Sequence, residues 1–183
     1  MNRRQQISTC WVKDRKPEPS SALKTVLIHE NFAVGVRARH FFEGLARASD
    51  KSLQEQIWNF DVLGIREVRN AAASAARRAD LAAIAVSGQL DLPSSVRAWL
   101  EMWLWLLEDE RPIFIAFFDS GSAPDNTRIH AHLSCAAAKA GIDFFCAHRQ
   151  ISLFPVIGVV GPHDDGIWPR SLEQELLSRL NLN

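Results

Sequence analysis

The sequence predicts a three-layer α/β sandwich, in which a five-stranded parallel sheet lies between two layers of helices. From residue 23 onward, short apolar segments alternate with longer segments whose apolar residues recur at helical spacing. This alternation is typical of successive βαβ units. Two of the short segments, Leu81–Ser87 and Ile113–Phe118, are almost entirely apolar, as expected for central parallel strands covered on both faces.

The first three elements of this pattern follow from local composition. Lys24–His29 is a short β-branched run and predicts strand 1, and Ala33–Ala48 has helically spaced apolar residues and predicts helix 1. Gln56–Leu63 predicts strand 2, with Phe60 and Leu63 on opposite faces. One face of this strand mixes polar and apolar residues, which indicates a position nearer the edge of the sheet.

The remaining elements continue the alternation from helix 2 to strand 5. Helices 2, 3 and 4 are predicted at Arg66–Arg78, Pro93–Glu108 and Asn126–Ala140, and strands 3, 4 and 5 at Leu81–Ser87, Ile113–Phe118 and Ile142–Ala147. Alanine favours helix 2, and Pro93 is tolerated in the first turn of helix 3. Gly141 is expected to end helix 4 as its C-terminal cap.

The predicted strand order is 2-1-3-4-5, the flavodoxin-like order. With right-handed crossovers, this order places helices 2, 3 and 4 on one face of the sheet and helix 1 on the other. Helix 3 supports it, because its large apolar residues cover an arc of roughly 200°, more than the roughly 100° that a sheet alone would bury. Its predicted neighbours are rich in alanine, so large side chains would pack against small ones.

Trp105 lies on the far side of helix 3 and is left outside that packing. One interpretation is a partly exposed surface aromatic. The other is an anchor at a homodimer contact, because tryptophan is enriched at such contacts.

The two ends of the chain depart from the alternating pattern. Residues 1–22 predict a flexible arm and linker, since Lys16–Ser21 contains two prolines and two serines. Residues 23–183 are expected to form a single α/β domain with an irregular tail. In that tail, Ile151–Val160 is an interrupted apolar stretch, and Ser171–Leu180 predicts a short helix that could cover the face holding helix 1.

Composition excludes several classes of protein. Lys+Arg and Asp+Glu both total 21, so the net charge is zero. We therefore do not expect binding to nucleic acid to be the main task, and contact through the basic arm and the arginines of helix 2 is the weaker alternative. Three cysteines do not form a disulfide framework. Without an export signal or a membrane-spanning apolar run, we expect a cytoplasmic protein that does not bind membranes.

Candidate ligand-binding residues lie where the predicted strands end, because open parallel sheets bind ligands there. They are His29, Glu30, Asn31, Ser87, Gly88, Asp119, Ser120, Gly121, Ser122 and His148. Asp119–Ser122, just before helix 4, could present backbone N–H groups to an anion. We favour a simpler interpretation, in which Asp125 or Asn126 caps that helix.

Common catalytic and nucleotide-binding motifs are absent from the sequence. The first strand-to-helix loop lacks GxGxxG, and no GxxxxGK[ST] occurs. Ser87 lacks the flanking residues of a nucleophile elbow. No histidine or cysteine spacing matches a zinc site, so we expect buried cysteines and capping histidines. No catalytic residue, metal site or cofactor is assigned from the sequence.

Strand 1 ending in His29-Glu30-Asn31, followed by a helix, resembles the receiver domains of response regulators over about Lys24 to Arg149. That resemblance implies an acidic pair after strand 1, an aspartate phosphoacceptor after strand 3, Ser or Thr after strand 4 and Lys after strand 5. Here Glu30 stands alone, Ser87 replaces the aspartate and Ser120 can match the third position. His148-Arg149 occupies the lysine position, so Mg²⁺-dependent phosphotransfer is not expected. Residues 79–103 also resemble short bacterial proteins of unassigned function.

Two hypotheses on function follow from these patterns. The first is a non-catalytic interaction or signalling module with a degenerate receiver-like fold, which forms a homodimer or binds another protein. The alternative is a protein or enzyme that binds a small, phosphate-containing molecule at the carboxyl ends of the strands.

Overall fold

The computed structural model describes residues 22–87, 91–107, 112–119, 127–148 and 170–180. The strands are β1 (Leu23–His29), β2 (Leu53–Asn59), β3 (Leu81–Val86), β4 (Ile113–Phe118) and β5 (Phe144–His148). The helices are α1 (Phe32–Ala48), α2 (Arg66–Arg77), α3 (Ser94–Leu106), α4 (Thr127–Ala140) and α5 (Arg170–Leu180). All strand pairs are parallel, in the order β2-β1-β3-β4-β5, which confirms the predicted sheet.

The helices cover the two faces of the sheet as predicted. Buried side chains of α2, α3 and α4 pack with the side chains that β1, β3 and β4 direct to one face. Buried side chains of α1 pack on the opposite face. There α5 adds Leu172, Leu176 and Leu180, at the spacing of one helical stripe. The last helix therefore shares the face that holds α1.

Helix α3 supplies the largest side chains of the core. Trp99 and Trp103 are fully buried, and their stacked rings lie 5.4 Å apart between centroids. Trp103 also meets Phe114 edge-on at 5.1 Å. The small, buried Ala72 and Ala76 of α2 belong to the same cluster, so large side chains pack against small ones as predicted.

The predicted end of strand 2 is wrong. The strand begins at Leu53 and ends at Asn59, and Phe60–Gly64 forms a turn of 3₁₀-helix. The Asn59 side chain accepts a hydrogen bond from the backbone N–H of Asp61 at 2.8 Å, a local bond that competes with strand pairing. Phe60 and Leu63 are both buried, because residues three apart share a side of a 3₁₀ turn.

Strand β5 begins two residues later than predicted and includes His148. Gly141 has φ +67°, and its N–H donates to Ala138 O while the N–H of Ile142 donates to Ala137 O, both at 3.2 Å. These two bonds form a Schellman motif, which a glycine at this φ favours. The predicted C-terminal cap at Gly141 is therefore confirmed, and Ile142 belongs to the turn after α4 and does not begin the strand.

The remaining predictions include one that is wrong and several that concern residues outside the described ranges. Cys135 and Cys146 are exposed, so the expectation of buried cysteines is wrong for both. The arm up to residue 21, the predicted N-terminal cap of helix 4 at Asp125 or Asn126, and the apolar stretch Ile151–Val160 lie outside the described residues. Within the described ranges, no helix combines the length and apolar character needed to cross a bilayer.

Candidate functional site

The carboxyl ends of β1, β3 and β4 lie side by side in the sheet. The structure describes six of the predicted ligand-binding residues: His29, Glu30, Asn31, Ser87, Asp119 and, at the end of β5, His148. Gly88, Ser120, Gly121 and Ser122 lie outside the described residues. We call Glu30, Asn31, Arg37, Ser87 and Asp119 the strand-end cluster.

Glu30 links three neighbouring strands. Its Oε2 accepts a hydrogen bond from the backbone N–H of Ser87 at 2.5 Å, and its own N–H donates to Ala85 O at 2.9 Å. The Asn59 side-chain amide at the end of β2 donates to Glu30 O at 3.3 Å. A bond from N–H to a carboxylate is charge-assisted and stronger than one between neutral groups. The Glu30 carboxylate therefore extends the hydrogen bonding between β1 and β3 beyond their last backbone pair.

Asp119 and Arg37 form an ion pair between the end of β4 and helix α1. The side chains are 9% and 21% exposed, respectively, so the pair is largely shielded from water. The N–H of Asp119 also donates to Val86 O at 2.9 Å. Since a partly buried ion loses much of its hydration, each charge depends on the other.

Asn31 occupies the N-terminus of α1. Its Oδ1 accepts a hydrogen bond from the Val34 N–H at 3.1 Å, the usual arrangement of an N-terminal cap. The Asn31 carbonyl accepts a bond from His29 Nδ1 at 3.0 Å. With the carbonyl as acceptor, the neutral ring carries its proton on Nδ1. Asn31 thus holds the loop between β1 and α1 in place.

His29 packs against helix α1. A methyl group added at Gly35 would come within 2.9 Å of His29 Cγ, so the ring lies directly against the helix backbone. Burial lowers the pKa of His29, and the hydrogen bond to Asn31 opposes that shift in part. His29 is therefore a neutral packing residue at this edge.

His148 belongs to a second cluster, on the α4 side of the sheet. Its ring stacks on Phe118 with centroids 5.0 Å apart and an interplanar angle of 15°. His130 of α4 lies 6.3 Å from the same phenyl ring. Burial lowers the pKa of His148, and the charge of His130 lowers it further.

Two residues that bond to the predicted site residues, Arg37 and Asn59, are not predicted from the sequence. Arg37 follows Val34 by one helical turn and precedes the buried Ala38, so its charge at the margin of an apolar helix face was the available signal. Asn59 was placed inside the second strand, although it ends that strand. A polar amide at a strand end is a signal only once the end of the strand is known.

The chemistry open to the strand-end cluster follows from these contacts. The Glu30 carboxylate accepts a hydrogen bond from the Ser87 N–H, and the Asp119 carboxylate is paired with Arg37. Among the residues that the structure describes, no group of three His, Cys, Asp or Glu side chains could hold a metal ion. The cluster thus brings Glu30, Asn31, Ser87 and Asp119 to one edge and connects them to strands and helix backbone.

Trp105, the predicted interface residue, lies elsewhere. It is near the C-terminal end of α3, and helices between parallel strands run opposite to those strands. Trp105 is therefore nearer the amino ends of the strands, far from the strand-end cluster. It lines a groove between α3 and α4, which we call the α3–α4 groove, and is 82% exposed.

Comparison with known proteins identifies the fold. No protein-family model matches the sequence, and no curated protein matches it. An apo NADH:FMN oxidoreductase superposes with a TM-score of 0.55 at 14% identity, over 88% of this chain and 89% of that chain. A short-chain flavodoxin associated with a bacterial microcompartment gives 0.54 at 12% identity, over 86% and 98%. An oxidoreductase from Corynebacterium diphtheriae gives 0.51 at 12% identity, over 87% and 93%. At such identities the likeness establishes a flavodoxin-like fold.

Proposed function

We propose that this chain is a non-catalytic interaction module, of a signalling or assembly type, built on a flavodoxin-like fold. One observation carries the proposal: the Glu30 carboxylate is bonded to the Ser87 N–H at 2.5 Å. Ligands bind at the carboxyl ends of the strands in this architecture. Here polar groups of the chain itself are hydrogen-bonded to one another at that place. The predicted site residues contribute more to the stability of the fold than to ligand binding or catalysis.

The electrostatics of this edge support the proposal. An anionic ligand between β1 and β3 would approach the Glu30 carboxylate, and it would compete with that carboxylate for the Ser87 N–H. At the first turn of α1, the Asn31 side chain already accepts from the Val34 N–H. Phosphate groups bind at such positions through available N–H donors, and these two donors are in use.

The exposed surface supports an interaction role. Phe32 is 80% and Trp105 82% exposed. Burial of a large aromatic side chain removes a large apolar area from water, but these two rings remain in contact with solvent. Aromatic residues are enriched in protein interfaces. Phe32 lies near the carboxyl ends of the strands and Trp105 near their amino ends, so the two rings mark two separate surfaces.

Thermal melting of the full chain with and without FMN tests this function. We expect E30Q and D119N to lower the melting temperature, and FMN to leave the melting temperature of every form unchanged. The exposed Glu175→Gln on α5 serves as the matched control and is expected to melt like the parent. A rise in melting temperature with FMN that E30Q or D119N removes would overturn the proposal, because the cluster would then be a ligand site.

The second candidate function is binding of a phosphate-containing small molecule such as FMN, and Phe32 is the observation that favours it. Its ring is 80% exposed in the first turn of α1, at the strand-end edge, where a planar ligand could stack. The fold is shared with an NADH:FMN oxidoreductase and a flavodoxin. FMN fluorescence titration of the parent and F32A tests it: quenching that F32A weakens supports the candidate, and no quenching in the parent removes it.

A further inference from the structure

The α3–α4 groove has the size and lining of a contact site for a large side chain. Its volume is about 370 Å³. Leu104 and Trp105 lie on the α3 wall, and Cys135 and Ala136 on the α4 wall. The alanine leaves space that no side chain among the described residues fills, whereas protein interiors are close-packed.

Trp105 is a large side chain beside the groove that packs against little of this copy. Trp99 and Trp103 on the same helix are fully buried, whereas Trp105 is 82% exposed. A position two residues beyond Trp103 faces away from the sheet by about 200° of helical rotation. The indole therefore projects from α3 beside the groove that it borders. The same patch carries both a protruding ring and a recess.

The charges beside the groove are of opposite sign and lie on opposite walls. Glu101 is on α3 and Lys139 on α4, and Glu101 lies one helical turn before Trp105. In the part of the chain that the structure describes, the ion pairs are formed by other residues. Both charges thus remain available to a partner that carries the opposite charge at the matching place.

A two-fold symmetric interface requires a patch that is complementary to itself. When residue i of one copy contacts residue j of the other, j also contacts i. The groove meets this requirement twice. Trp105 of each copy can enter the recess of the other, and Glu101 of each copy can face Lys139 of the other.

We infer that a second copy of this chain occupies the α3–α4 groove, with two reciprocal Trp105 insertions and two reciprocal Glu101–Lys139 ion pairs. This inference rests on the proposed interaction function and names its partner. A homodimer was one of the two interpretations of Trp105 that the sequence left open. The opposite charges on the two walls are what favour a second copy over an unrelated partner.

Sedimentation equilibrium of the full chain tests the inference first. We expect a dimer whose dissociation constant rises at least tenfold in W105A, because buried tryptophans carry much of the energy of an interface. F32A removes an equally exposed ring outside the groove and is expected to leave the dissociation constant unchanged. A monomeric parent, or a dimer that W105A leaves intact, would overturn the inference.

Charge exchange tests the reciprocal ion pairs. We expect E101K and K139E each to weaken the dimer, because each places like charges face to face twice. The double variant E101K/K139E restores the pairs with their signs exchanged, so its dissociation constant should return toward that of the parent. E175K on α5 serves as the control for an exposed charge reversal. A double variant that is weaker than both single variants would refute the pairing.

Cysteine labelling gives a readout that does not depend on any variant folding. Cys135 lines the groove and Cys146 does not, and both are exposed in the single chain. Alkylation of Cys135 should slow as protein concentration rises, while alkylation of Cys146 stays constant. Equal rates at all concentrations would contradict a filled groove.

The outcomes also separate this inference from the proposed function. A monomer that does not bind FMN defeats the dimer and leaves an interaction module with another protein as partner. A dimer whose strand-end edge binds FMN defeats the non-catalytic function and leaves the groove contact standing.

Discussion

The Glu30 carboxylate and the Ser87 backbone N–H, 57 positions apart in sequence, lie 2.5 Å apart and join the ends of two strands. The last paired residues of β1 and β3 are His29 and Ala85. Glu30 and Ser87 lie beyond that pair, so a side chain continues the hydrogen bonding where the backbone ladder ends. This bond fixes how two central strands of the sheet terminate.

Replacing Glu30 by alanine should therefore destabilise the fold. The Ser87 N–H would lose a charged acceptor in a partly buried place, which costs about 1–3 kcal/mol of unfolding free energy. Urea denaturation monitored by circular dichroism measures it. Glu175→Ala, on the exposed face of α5, is the control and should change the unfolding free energy by less than about 0.5 kcal/mol. Equal stability of the two variants would contradict the structural role of Glu30.

The Arg37–Asp119 pair predicts a measurable coupling energy. We expect R37M and D119N each to lower the unfolding free energy by about 1–3 kcal/mol, less than a fully buried pair because Arg37 retains some contact with water. The double variant should lose less than the sum of the two. A double-mutant cycle in urea measures this coupling.

The exposed pair Arg39–Glu43 on the same helix, 3.3 Å between Nε and Oε1, gives the reference cycle. Its coupling should be at most about 0.5 kcal/mol. Strictly additive effects at Arg37 and Asp119 would show that the two charges do not act together.

Two glycines of α1 predict opposite effects of the same substitution. Gly35→Ala would place a methyl group 2.9 Å from His29 Cγ, and such overpacking costs about 1–3 kcal/mol. Gly44→Ala meets no atom within 4 Å, so it should stabilise the helix by about 0.5–1 kcal/mol. Melting temperatures of the two variants test both. A stabilised Gly35→Ala variant would mean that His29 does not pack on α1.

The depressed pKa of His148 predicts loss of stability in acid. The folded-state pKa lies below the ordinary histidine value of 6.5 because of burial and the nearby His130. Well above pH 6.5 the ring is neutral in both states, so protonation of His148 does not reduce the unfolding free energy. As the pH falls below that value, the unfolded state takes up the proton first, so the unfolding free energy declines until the folded-state pKa is passed.

Urea denaturation across this range should show a smaller decline in H148Q. His29 has a lowered pKa for the same reason of burial, so part of the decline should persist in that variant. H40Q, at an exposed position of α1 outside the α3–α4 groove, is the control and should follow the parent. An H148Q profile identical to that of the parent would contradict the contribution of His148.

The order of the strands and the distribution of helices could be predicted because they depend on periodicity. The large side chains of α3, such as Trp99 and Trp103, required covering on the flanks, and the alanines of neighbouring helices matched them in size. This argument uses only volumes and helical geometry, both of which are present in the sequence.

The end of β2 and the partner of Arg37 depend on different physics. Asn59 ends its strand because its side chain bonds two residues ahead, and the same amide would also be compatible with a continued strand. Arg37 meets Asp119 across 82 residues, which depends on how far α1 is shifted along the sheet. No local pattern records that shift, so the strand-end cluster could be predicted only as an edge and not as a set of bonds.

Helix α3 also makes the protein its own optical probe. Trp99 and Trp103 stack in parallel in the core, with ring centroids 5.4 Å apart, so their electronic transitions couple and report on packing through near-ultraviolet circular dichroism. Trp105, two residues further along, is exposed to solvent, so its fluorescence emission is expected at a longer wavelength. Unfolding would change the first signal, whereas contact at the groove would shift the emission of the second.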